Sequence, residues 1–82
     1  MPVILRVKGY KFLFYEADLD EPPHIHVGME NRVAKFWLEP VQAARTGGFS
    51  PVRLREIERI IKGNQGYLLD MWHREQGKRA DG

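Results

Sequence analysis

Two histidines one residue apart, His24 and His26, stand in the stretch EPPHIHVG. On an extended backbone a His-x-His pair projects both imidazoles from one face, roughly 6–7 Å apart. As metal ligands the pair suits zinc or a similar divalent ion, with a further donor from the nearby acids Asp18, Asp20 or Glu21. As a catalytic pair they suit general acid and base work, since imidazole titrates near neutrality. A third reading makes them the wet side of a strand whose buried side is Ile25 and Val27. Alternation predicts both rings on one face and at least partly solvent-accessible.

Spacing removes some catalytic arrangements. A histidine triad needs a third alternating histidine, but Val27 and Gly28 follow His26. The two-histidine phosphoesterase pattern needs two His-x-Ser/Thr motifs, and this chain has neither. There is no Gly-rich P-loop, no Ser or Cys nucleophile motif and no EF-hand pattern.

A second candidate site is the helix start in TGGFSPVRL. Gly47, Gly48, Ser50 and the free N–H groups of a first helical turn could hold a phosphate, with Arg45 and Arg53 flanking it. Ordinary capping explains the same residues. Ser50 is then the N-cap, Pro51 fills the first helical position, and Phe49 and Leu54 form a hydrophobic staple.

The elements that must position these groups are short. VILRVK and YKFLFYEA read as strands with Lys8–Gly9 as the tight turn between them, HIHV as a third strand and RVAKFWLE as a fourth, which Pro40 stops. In the fourth, Ala34, Phe36 and Leu38 share one face, and Val33, Lys35, Trp37 and Glu39 the other. Trp37 and Lys35 therefore fall on a half-apolar second face, a candidate partner contact. Leu54, Ile57 and Ile61 keep helical spacing; Tyr67, Leu68, Met71 and Trp72 make a second stripe. Gly63 is placed to close the first helix in a left-handed conformation and Asn64 to cap the second. The expected fold class is α+β: a small antiparallel sheet of three to four strands followed by two C-terminal helices. The domain spans residues 1–77, and residues 78–82 form a disordered tail.

Composition bounds the class. Eighty-two residues, 43% of them hydrophobic and nine of them aromatic, make one small folded domain. With no cysteine there is neither a disulfide framework nor a thiolate metal site, which suits a cytoplasmic protein. The apolar run near the N-terminus is too short for a signal peptide or a membrane span. The net charge of +2 is unevenly placed: residues 1–40 carry five Lys/Arg and six Asp/Glu, residues 41–82 eight and five. The basic second half would meet phosphate or an acidic protein. The interspersed Glu56 and Glu58 and the small net charge argue against nucleic acid as the main ligand.

The pieces MPVILRVKGYKFLFY, EPPHIHV, AKFWL and GFSP, followed by a basic apolar helix and a late Trp, occur here in one order. In that order they resemble a bacterial family known as domain of unknown function 4160, over Met1 to about His73. The resemblance implies a small, stand-alone cytoplasmic protein, often encoded beside a second small protein in an arrangement like a toxin–antitoxin pair. It gives His24 and His26 no role. The one departure is Gly63 with Gly66, which loosen the helix junction. The expected function is a non-enzymatic module that binds a small partner protein, needing no cofactor. The alternatives are a small RNA- or phosphodiester-acting enzyme using His24 and His26, with a divalent metal such as zinc in one version, and a nucleic-acid-binding regulator using the basic helix.

Overall fold

The computed structural model describes residues 3–15 and 20–81, with side chains as far as residue 77. Five strands come first: β1 (Val3–Val7), β2 (Tyr10–Leu13), β3 (His24–Met29), β4 (Arg32–Leu38) and β5 (Val41–Arg45). Two helices follow, α1 (Pro51–Gly63) and α2 (Gln65–Asp81). The strands form one antiparallel sheet in chain order, β1-β2-β3-β4-β5. The α+β architecture holds, with one strand more than the sequence predicts.

Local chemistry explains the meander. Lys8 and Gly9 both take positive φ, 51° and 83°, so a two-residue turn brings Val7 opposite Tyr10. Glu30, at φ 56°, helps the next turn, which pairs Met29 with Arg32. Glu39–Pro40, a cis peptide, makes the third turn and pairs Leu38 with Val41. Pro40 does end β4, as its missing N–H requires. It does not end the sheet, because the chain reverses there and pairs again. β5 is hidden in the sequence because VQAAR lacks apolar alternation, and four of its five residues are exposed.

Register sorts the strands into two faces. Phe12 opposes Val27, Val27 opposes Ala34, and Ile25 opposes Phe36, so these residues share one face. Both helices pack there. Ile57, Ile61, Leu68 and Trp72 join Tyr10, Phe12, Phe14, Ile25, Phe36 and Leu38 in one core, each no more than 1% exposed. Burying side chains of this size contributes about 1.5–3 kcal/mol each before entropy is subtracted.

Polar anchors fix the helices on that face. Tyr10 Oη donates to Glu56 Oε1 at 2.7 Å, Gln65 Nε2 to the Leu38 carbonyl at 2.6 Å, and Tyr67 Oη to the Ile4 carbonyl at 2.9 Å. Ser50 caps α1 by accepting the Arg53 N–H at 3.2 Å, with Pro51 in the first turn. Gly63 does not take the left-handed conformation; only Gly9, Gly47 and Gly48 have positive φ among the described glycines. Asn64 breaks the helix instead. Its N–H reaches the Ile61 carbonyl at 3.1 Å, its side chain the Ile60 carbonyl at 2.8 Å, and its own carbonyl accepts the Leu68 N–H at 3.0 Å. One side chain thus closes α1 while the same residue opens α2. The backbone stays helical through Asp81, past Gly77 where the sequence-based domain ends. The expected tail at 78–82 falls where side chains, and Gly82 altogether, lie outside the described residues. No described helix is long and apolar enough to cross a membrane.

Candidate functional site

β3 holds His24 and His26 on one face, with ring centroids 5.3 Å apart. Ile25 and Val27 point into the helix-covered core at 0% exposure. The alternation is therefore as expected, but the expected solvent access is not found. His24 is 0% exposed and His26 8%. Aromatic rings explain the burial. His24 lies 4.8 Å from the Trp72 ring of α2 and 5.7 Å from Trp37 of β4, centroid to centroid. Tyr15, just past β2, lies 4.4 Å from the His26 ring.

His24 Nδ1 is 3.0 Å from the Pro22 carbonyl. A carbonyl only accepts, so this bond places the proton on Nδ1. The same nitrogen lies 3.9 Å from Glu21 Oε1. His24 thus locks the Pro-Pro turn onto the end of the sheet. With no exposed surface, the His24 ring would meet a substrate atom only after the rings around it moved. Among the described residues no group of three His, Asp or Glu side chains could hold a metal ion. Asp18, one of the acids considered as a third ligand, lies outside the described residues.

Trp37 and Lys35 do occupy the second face. Trp37 opposes His24 across the β3–β4 ladder, and Lys35 opposes His26. The Lys35 ammonium lies 4.7 Å from the Trp37 ring centroid and 2.6 Å from Glu21 Oε1. Trp37 is half-buried; Tyr15 and Val33 are 41% and 44% exposed. Trp72 of α2 reaches this face at His24. The outer positions of the face are basic. Arg6 opposes Lys11 and Arg45 opposes Lys35, and Arg6, Lys11 and Arg45 are exposed. The sequence reading missed Tyr15 and Trp72 as the rings that close over the histidines. For Tyr15 the signal was present, since it continues the alternation of Lys11 and Leu13 onto the second face.

The candidate phosphate site separates. Gly48, Ser50 and Arg53 do line one cleft of about 290 Å³, joined by Arg32, Met29 and Glu30. Arg45 does not; it is on β5, facing the open side of the sheet. The carboxylate of Glu30, 3.7 Å from Arg32 Nη1, already offsets part of the positive charge. Arg53 Nη1 donates to Tyr10 Oη at 3.3 Å and approaches Met29 Sδ at 3.7 Å. Hydrogen bonding to Tyr10 raises the guanidinium pKa further, so the group stays charged. Gly47 has a steric reason of its own: at φ 62° it lies against the Val33 carbonyl, where a Cβ would collide with backbone. The glycines of this turn serve the crossing from β5 to α1.

A family model described as Domain of unknown function (DUF4160) matches residues 9–73. No curated protein and no solved structure matches the chain.

Proposed function

We propose that this chain, which belongs to the family of domain of unknown function DUF4160, is a non-enzymatic module that binds a small partner protein on the open face of its sheet. One observation carries the reading. The helices pack mainly on one side, with Trp72 of α2 reaching His24 on the other, and that other side presents Trp37, Tyr15 and Val33 together with exposed Arg6, Lys11 and Arg45. A half-buried Trp held by a Lys ammonium is a rigid anchor, of the kind that dominates interface energies. Arg6, Lys11 and Arg45 elsewhere on the same face favour an acidic partner and speed its encounter. Five strands at about 4.8 Å spacing and about 3.3 Å per residue offer a face roughly 20 Å on each side. That is about 400 Å² a side, the size of a weak or transient contact unless the partner also reaches beyond the sheet. A toxin–antitoxin-like pair in the cytoplasm is the setting this reading fits.

The test is co-purification of the chain from native cells, with mass spectrometry of any small protein retained, followed by titration calorimetry with that protein. Trp37→Ala should weaken association by about 2 kcal/mol or more, some thirtyfold, with circular dichroism unchanged. A folded Trp37→Ala protein with full affinity would sink the reading.

Exposed Tyr15, on a face that also carries Arg6, Lys11 and Arg45, also suits stacked bases of single-stranded nucleic acid. This moves the nucleic-acid alternative from the basic helix to the sheet. Binding of a short oligonucleotide that falls steeply with salt, and more steeply than partner binding does, would favour it.

A further inference from the structure

The two edges of the sheet are treated differently. At the β1 edge the Tyr67 hydroxyl of α2 occupies the Ile4 carbonyl, beside a register irregularity between Val3 and Leu5. β5, at the other edge, carries no proline and no acid, and Gln42 to Arg45 are exposed. Among the described residues its hydrogen bonds run to β4 alone. An edge left in this state is a template for another strand.

A groove runs beside that edge. A hollow of about 110 Å³ is lined by Phe36, Ala43 and Leu54, with Arg55 and Glu58 at its rim. It continues along α1 into a second hollow of about 200 Å³ between Arg55, Glu58, Arg59 and Lys62. Three cations thus face one acid, and Glu58 is 3.9 Å from Lys62. The geometry points to a strand-addition site: the free edge of β5 and the groove along α1 take an extended acidic segment of a partner protein as a sixth strand.

Alternation sets the chemistry of that segment. Every second side chain of an added strand falls on the helix side, where the Phe36–Ala43–Leu54 hollow takes an apolar group. The others fall on the open side, beside Gln42 and Arg45, where a carboxylate is favoured. A second copy of this chain is the disfavoured occupant. It would bring Arg45, Arg55 and Arg59 against their own kind, and like charges across a strand pair are destabilising. This site shares Arg45 with the open face but needs none of Trp37, Tyr15 and Val33.

The probe is a fluorescein-labelled, end-capped peptide of about ten alternating Glu and Val residues, followed by anisotropy against the full chain. Saturable binding is expected, with amide-exchange protection gained over residues 41–45. Arg55→Glu with Arg59→Glu should weaken it about tenfold or more. Ala43→Phe, which fills the hollow at an exposed position, should weaken it too, and Arg74→Glu on exposed α2 surface should not. The proposal is overturned by any of four results: no saturable binding, equal binding of a Lys–Val peptide, protection confined to other strands, or displacement of the peptide by an oligothymidylate. A stable dimer at working concentration that buries β5 overturns it as well.

Discussion

His24 and His26 show how far a side chain's type can be read without its neighbours. Alternation predicts their shared face correctly, because strand geometry alone decides it. It misses their burial, because the covering rings come from Tyr15, Trp37 and Trp72, at other places in the chain. His24→Ala should therefore act on stability. Removing a fully buried ring that packs on Trp72 should cost about 2–4 kcal/mol, read as a drop in urea midpoint. A His24→Ala protein with wild-type stability would return the residue to the surface role that alternation predicts. At Gly47, Ala combines a positive φ with a backbone collision at Val33 and should cost at least about 2 kcal/mol. Gly77 has open space around its Cβ position and a helical backbone. Gly77→Ala should be neutral or slightly stabilising, so the pair separates conformational need from mere glycine content.

Elements were legible in proportion to the strength of their patterns. The Lys8–Gly9 hairpin, the Ser50 cap and the Ile57/Ile61 stripe are all found as the sequence implies. β5 was not legible, since an edge strand buried on neither face has no alternation to display. Gly63 misled for a related reason: glycine after a helical stripe usually marks a left-handed end, but here Asn64 supplies the hydrogen bonds that such an end provides. At this scale the useful comparison is between cap and core. Ser50→Ala should cost about 1 kcal/mol through one lost acceptor. Ile57→Ala, at 0% exposure, should cost about 2–5 kcal/mol. Leu54 is only partly buried, at the edge of the groove, and its truncation should fall between them. A Ser50 effect matching that of Ile57 would mean that the turn before α1 supports more than the helix end.

The molecule as a whole depends on α1 staying docked across the sheet, and one hydrogen bond makes that docking sensitive to pH. Tyr10 Oη joins β2 to Glu56 on α1, with Lys8 Nζ 3.7 Å from the same carboxylate. Hydrogen bonding from Tyr10, helped by the Lys8 and Arg53 charges, lowers the Glu56 pKa. The folded state then binds a proton at Glu56 less readily than the unfolded chain does. Its contribution to stability is complete above the unfolded carboxyl range and is lost as pH falls through the folded pKa. Tyr10 moves the other way, raised chiefly by burial. Its contribution is complete below the unfolded phenol range and is lost as pH rises beyond it. Urea midpoints measured against pH should therefore show a plateau with an acid and an alkaline flank. Glu56→Gln should flatten the acid flank and leave most of the alkaline one. Tyr10→Phe should flatten both, because it removes the phenol and also the bond that holds the carboxyl pKa down. An acid flank unchanged in Tyr10→Phe would mean that the Lys8 and Arg53 charges act on Glu56 without the phenol. The docking of α1 would then rest on the Lys8–Glu56 ion pair and the Ile57 and Ile61 packing, without the Tyr10 bond.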